Sequence, residues 1–469
     1  MIFTNATIIT MDPQRRVLRD AALAVKADRI VAIGPTAEVL RAFPGLRQYD
    51  CTHHIIAPGL IDTHVHTCQS FYRALSGSNL PNPPRSWEEW LFGLILPMEG
   101  AHGPGDGAAS MSLAVLEMLK SGTTSFLECM TSGIHDFEGQ ARVCIDAGIR
   151  AALGRMVMDI PAELARRMNV HPGVWESREA SIACALAEHE RWNGAGDGRL
   201  QVWFGCRTAD FSAEPSLYAE VAALAHQRGM RITIHHSEVE ADNAHARTLG
   251  YRSHMEFAYR VGLLGPGSVL AHCTAADDRD IELLAETGAH VSHNPANNAA
   301  KGWGPTRVGD MLAAGVNVAL GCDSVTDNAR LDLLSDMRTA LHMQRYFGGH
   351  HVFRPMTALE MATINGARAL GTADETGSLE VGKKADLITV NTDVAHLTPA
   401  NDPVATLVLA AVGSDVDTVV IDGRMVMMGR KMLTMDEAAI LADARVRSRE
   451  MIARARAWRR ANGWGAIDA

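Results

Sequence analysis

"GLIDTHVHTCQS", residues 59–70, places two histidines one residue apart at the end of a short apolar run. Alternate residues of an extended segment point the same way, so His64 and His66 can face one space. The pattern of the chain beyond this stretch decides the fold. From about residue 106, helical runs such as "AASMSLAVLEMLKSG" alternate with compact apolar stretches: "TTSFLEC", "RAALGRMV", "LQVWFGC", "MRITIHHSE", "GSVLAHC", "AHVSHNP" and "NVALGCD". Helix and strand in alternation predict βα units around a parallel sheet. With the run before His64 the strands number eight, as a (β/α)8 barrel requires. The fold class is α/β.

The two ends of the chain read differently. "MIFTNATIIT", "AALAVKADRIVAIG" and "HHIIAPG" are short strands punctuated by Asp12-Pro13 and Gly34-Pro35, and "GSLEVGKKADLITVNT" and "VDTVVIDGRMVMMG" are similar. Residues 1–57 and 379–435 are too small and strand-like to stand alone. They predict one composite β-sandwich flanking a barrel over 58–378, with 436–469 a closing helical segment. Residues 70–105, containing "NLPNPPRSWEEWLFGLILP", form an insertion after the first barrel strand. At that position it would lie over the barrel mouth. Trp87 and Trp90 would offer stacking surface to a substrate there, or else anchor the insertion with Leu91 and Phe92.

With 469 residues, 47% of them hydrophobic, the chain can bury a large core. A formal charge of -10 argues against nucleic-acid binding, which needs phosphate-neutralising cations. The main basic cluster, "ARVRSREMIARARAWRR", alternates with apolar residues and reads as an amphipathic helix with a wet basic face. Eight cysteines without a C-x-x-C pair, and an N-terminus without a basic-then-apolar leader, fit a reducing, cytoplasmic setting. No stretch is long and apolar enough to span a membrane.

Active sites of this architecture gather at the C-terminal ends of the strands, and several predicted strands end in groups that bind metal or move protons. His64 and His66 end the first, His235 and Glu238 the fifth, His272 the sixth and Asp323 the eighth. Three imidazoles and one carboxylate, from His64, His66, His235 and Asp323, suit Zn²⁺ or another borderline divalent ion. Such an ion acidifies water and polarises an electrophile. Glu238 is then the general base, His272 a hydrogen-bond donor at the electrophile, and Asp323 a second proton acceptor. His236 should point away from the site.

At these residues the chain resembles the amidohydrolase superfamily, and within it the cytosine deaminase and s-triazine hydrolase branch. The matching stretches are "APGLIDTHVHT" (57–67), "HHSE" (235–238), "LAHC" (270–273), "VSHNPANN" (291–298), "GCDSVTDNARLDLLSDMRTA" (321–340), "ATINGARALG" (362–371) and "GSLEVGKKADLITV" (377–390). The resemblance implies a distorted TIM barrel with a flanking β-sandwich. It carries the metal-ligand roles onto His64, His66, His235 and Asp323, the proton-shuttling role onto Glu238 and the assisting role onto His272. It implies one divalent ion, zinc or else iron, since "LQVWFGCRTADFSAEP" has no lysine to bridge a second. It also implies a homodimer or homotetramer.

Arg207-Thr208 stands where deaminases of that branch carry a Pro-His pair, which weakens the expectation of a nucleoside and lets Arg207 reach an anionic or carbonyl group. Asn294, Asn297 and Asn298 would read ring heteroatoms, or else stabilise a turn, and Ser324 would hydrogen-bond substrate. The leading expectation is deamination of a small amino-substituted N-heterocycle: a pyrimidine, purine, pterin or triazine. Amide, urea or carbamate hydrolysis and hydrolytic dechlorination are the alternatives. A non-catalytic scaffold would be expected to have lost these polar residues.

Overall fold

The computed structural model describes residues 1–75, 80, 84, 87–207, 215–349 and 353–464. The chain opens with β1 (Ile2–Ile9), β2 (Val17–Lys26), β3 (Arg29–Pro35), β4 (Gln48–Asp50) and β5 (His54–Pro58). Eight strands come next, with helices between them: β6 (Leu60–Val65), β7 (Thr123–Thr131), β8 (Arg150–Val157), β9 (Leu200–Cys206), β10 (Ile232–His236), β11 (Ser268–His272), β12 (His290–His293) and β13 (Asn317–Leu320). After a helical stretch come β14 (Leu387–Asn391), β15 (Val416–Ile421), β16 (Arg424–Met428) and β17 (Lys431–Met432).

β6 to β13 lie side by side in chain order, with every neighbouring pair parallel. These are the eight strands expected from the sequence. The sheet closes at its C-terminal end, where Val65 bridges Asp323. There the Asp323 amide donates to His64 O at 2.8 Å, and Thr63 Oγ1 donates to Leu320 O at 2.9 Å. Register shifts between Leu60 and Ile61 and between Asp62 and Val65 distort the first strand pair.

Strand alternation sorts the side chains into two layers. Ile61, Leu127, Ala152, Trp203, Val269 and Ala319 share a cluster with Ala367 and Leu370 of the helix Ile364–Leu370. Phe126, Leu153, Phe204, Ile234, Leu270 and Leu320 join the larger core with the helices. Each large side chain so buried contributes about 1.5–3 kcal/mol.

Both chain ends enter a second, mixed sheet, ordered β17-β16-β15-β14-β5-β1-β2-β3 with β4 on β1. The antiparallel pairing of β14 with β5 joins residues 387–391 to 54–58, so neither end completes the sheet alone. Arg150, at the start of β8, fastens this sheet to the barrel through the buried carboxylates of Asp386 and Asp422.

The insertion after β6 includes helical turns at Trp87–Trp90 and Leu96–Gly100 with a π-helical stretch, Leu91–Ile95, between them. Phe92, Leu94 and Leu96 pack in a separate cluster with Met156, Met158, Met451 and Ala455. The last two belong to the closing helix, Glu437–Ala461. Its basic face is partly used inside the molecule. Arg447 and Arg454 both bind the buried Asp106 carboxylate, Arg447 Nη1 at 2.9 Å from Oδ1. Among the described residues no helix is long and apolar enough to cross a membrane.

Candidate active site

The strand ends named from sequence converge at one end of the barrel. His64 is in β6 and His66 just past it; His235 is in β10, with Glu238 just past it; His272 ends β11; Asp323 lies just after β13. Two of these residues sit in the left-handed backbone region, His272 at φ +75° and Asp323 at φ +62°. That region is uncommon outside glycine, although His and Asp enter it more readily than most, and such strain clusters at functional sites. The neighbouring ladder holds both. His272 is in register with His236, and the Asp323 amide is tied to His64.

Gly321 makes this approach possible. A Cβ there would stand 2.5 Å from Asn294 Oδ1, 2.7 Å from Ser292 Oγ and 2.8 Å from His64 Cβ.

The polar atoms crowd. His66 Nε2 is 3.1 Å from Asp323 Oδ1 and 3.1 Å from His235 Nε2. His64 Nε2 lies 3.6 Å from Asp323 Oδ1, and His272 Nε2 3.6 Å from Asp323 Oδ2. His64 is fully buried, and among the described residues neither of its ring nitrogens has a hydrogen-bond partner. His235 Nδ1–H donates to Arg207 O at 3.1 Å, which leaves Nε2 as the lone pair facing the cluster. Burial, followed by the neighbouring His64 and His66, holds His235 well below the usual histidine range, so it is neutral and can act as a ligand. Burial opposes ionisation of Asp323, but contacts with His64 and His66 outweigh it and keep the carboxyl well below its usual range.

This arrangement fits a divalent ion. Two nitrogens each about 2.05 Å from one tetrahedral ion stand about 3.3 Å apart, close to the observed His66–His235 spacing. A single hydrogen bond between those two rings would leave His64 bare, whereas one ion can serve all three imidazoles and Asp323. Cys129, at the C-terminal end of β7, is a further donor: its Sγ lies 3.3 Å from His66 Nδ1, and it groups with His64, His66 and His235. Glu238 groups with His235 and His272, all three offering atoms within 4.8 Å of one another.

The surrounding cavity, of about 40 Å³, is lined in part by His66, Gln69, Trp90, Arg207, Lys301 and Ser324. Leu91 and Ile95 contribute as well, so one face of the insertion lines the cavity while Phe92 and Leu94 anchor it. The side chain of Trp87 and all of Thr208 lie outside the described residues.

Arg207 is buried against Glu99, with which it forms an ion pair, and Gln69 Nε2 also donates to Glu99 at 2.9 Å. Ser324 reaches the cavity, but its hydroxyl is already engaged by Gln69 and Thr326. Asn294, Asn297 and Asn298 are fully buried and bonded within the protein. Asn298 Oδ1 accepts from His272 Nδ1 at 2.8 Å, so Asn298 orients that ring. His236 is turned away: its Nε2 donates to His254 O at 3.0 Å, and its ring stacks on His254.

Gln69, Glu99, Lys301 and Cys129 do not stand out in the sequence. Of these only Cys129 carries a signal there, as the last residue of the stretch "TTSFLEC".

Against known proteins, residues 55–426 match the Amidohydrolase family. The chain belongs to this family. Residues 21–45 also match an imidazolonepropionase-like composite domain of bacteria. This amidohydrolase is 34% identical over 460 residues to a 5'-deoxyadenosine deaminase of Methanosarcina acetivorans, covering 97% of this chain and 99% of the relative. It is 33% identical over 444 residues to a 5-methylthioadenosine/S-adenosylhomocysteine deaminase of Acetivibrio thermocellus, covering 94% and 96%.

Among solved structures it matches a zinc-bound adenosine deaminase from Xanthomonas campestris, with a TM-score of 0.88, 28% identity and coverage of 96% and 98%. It shares its fold with a zinc-bound atrazine chlorohydrolase of Arthrobacter aurescens, with a TM-score of 0.85, 22% identity and coverage of 95% and 99%. The expected class of activity stands: a metal-dependent hydrolase acting on a carbon–nitrogen bond of an amino-substituted heterocycle.

Proposed function

We propose that this amidohydrolase deaminates adenosine-type nucleosides or closely similar aminated rings, with Glu238 carrying the proton. The supporting observation is the His235, Glu238 and His272 group standing beside the His64, His66 and Asp323 cluster within one cavity. The names of the relatives point to the adenosine ring. His64, His66, His235 and Asp323 would hold a divalent ion, which would supply Lewis acidity and lower the pKa of water at the site.

Glu238 accepts a proton from the attacking water and passes it to a ring nitrogen. Water oxygen bonds to the ring carbon, and the amino group leaves as ammonia once a second proton reaches it. Asp323, held ionised, is the second acceptor. His272 keeps its Nδ1 proton on Asn298, so its Nε2 enters the reaction as an acceptor and donates only after gaining a proton. Burial favours that neutral form, with the ring's pKa pushed down to about 3. Trp90 offers a stacking face on the opposite wall.

The partner is then a small molecule. A homodimer or homotetramer in the cytoplasm is our reading of the rest, the reducing compartment supported by eight free cysteines.

The test is ammonia release by the metal-replete protein from 5'-deoxyadenosine, methylthioadenosine, S-adenosylhomocysteine, cytosine, pterin and aminated triazines. The adenosine-type members should release it. Silence across the panel with metal bound would overturn the deaminase reading and turn attention to amide, urea and halide substrates.

A further inference from the structure

Lys301 comes directly after the helix Pro295–Ala300 and lines the same cavity as His272 and Asp323. Its ammonium stands 4.4 Å from the ring centroid of Trp90 and 4.4 Å from that of Trp303. The side chain is only 14% exposed, and its nearest carboxylate oxygen, Asp327 Oδ2, is 3.9 Å away. That is beyond hydrogen-bond reach, and Asp327 Oδ2 already accepts from Thr326 Oγ1 at 2.9 Å. An ammonium has three donors and no acceptor. Here, among the described residues, they meet two π faces and open cavity.

Arg207, also on the cavity wall, differs because Glu99 neutralises it directly. Two cation–π contacts offset part of the cost of burying the Lys301 charge, about 0.5–2 kcal/mol each. An anionic hydrogen-bond acceptor would offset more. The corner lies beside the reacting end of the cavity, because Trp303 meets the His272 ring edge-on with centroids 5.1 Å apart.

We infer that Lys301 determines specificity: framed by Trp90 and Trp303, it favours, among the aminated rings the site accepts, those that carry a carboxylate or equivalent anionic substituent. The ring part of this statement rests on the deaminase reading above; the anion part rests on Lys301 alone. Trp90 and Trp303 hold the ammonium in place and leave its donors directed at the incoming group.

The experiment is calorimetric titration of the full-length, metal-loaded protein in a Glu238→Gln background, which removes heat from turnover. The probes are two pairs, adenosine with 2-carboxyadenosine and pterin with pterin-6-carboxylate. At least one carboxylated member should bind about tenfold or more tightly than its neutral parent, as expected of a charge-assisted hydrogen bond. Adding Lys301→Met should erase that preference while leaving the neutral parent's Kd within about twofold. Adding Lys301→Arg, which keeps the charge between the two indoles, should preserve most of it.

Carboxylated members that bind no more tightly than their parents would overturn the inference. So would a Lys301→Met variant that weakens both members of a pair equally. Failure of the deaminase reading would appear separately, as no ammonia from the wild-type protein while the calorimetric preference persists.

Discussion

The two walls of the cavity are made in different ways. His64, His66, His235, His272 and Asp323 stand on or beside paired strands, and their backbones are fixed by the β10–β11 ladder and by the Asp323–His64 hydrogen bond. Trp90, Leu91, Ile95 and Lys301 come instead from an insertion and a turn. The contact across them is Lys301 against Trp90, an interaction of about 0.5–2 kcal/mol.

Sites carried on strands are held more exactly than sites on loops, so we propose that chemistry belongs to the first wall and selection to the second. The cavity, about 40 Å³, has room for a few waters. The second wall is the one without a strand ladder behind it.

The sharpest way to break this comparison is on the strand side. Glu238→Gln should retain the metal and lower kcat by about 10²–10⁴-fold, the usual contribution of a positioned general base. Turnover close to wild type, measured as ammonia release, would take Glu238 out of the proton path.

Gly321→Ala should come next. Its Cβ would collide with Ser292, Asn294 and His64, so the first wall cannot accept it without moving a ligand. Metal affinity, measured by competition with a chelator, should fall about 10–100-fold, the range for disturbing the support of a metal site. Unchanged affinity would mean that β13 approaches the site less closely than its contacts with His64 and Asn294 require.

The smallest effect belongs to the second wall. Trp90→Leu should raise KM by up to about thirtyfold, the equivalent of one cation–π contact, with metal content and kcat little changed. A collapse of kcat with KM intact would place Trp90 in the chemistry and erase the distinction between the walls.

The same contrast explains what the sequence alone reveals. The eight strands are legible because each is a compact apolar run between helical ones. The polar residues at their ends are legible because a parallel barrel gathers strand C-termini in one place. Lys301 is not, since its role depends on Trp90 from a segment some two hundred residues away, brought close only by folding. Asn294, Asn297 and Asn298 look like substrate readers because their amides suit a ring. Whether they face the cavity or the protein is set by the helix start at Pro295 and by His272, which the local sequence does not reveal. Gly321 carries no signal either: a glycine after an apolar strand is common, and the need for it arises from His64 in β6 and Asn294 just past β12.

The most direct test of the four-ligand site is the metal stoichiometry of the purified chain by elemental analysis, for wild type and Asp323→Asn. The expected result is one divalent ion per chain in the wild type and a clear loss of occupancy in the variant. Two ions per chain, none after metal loading, or full occupancy in Asp323→Asn would contradict the site on which the chemistry depends.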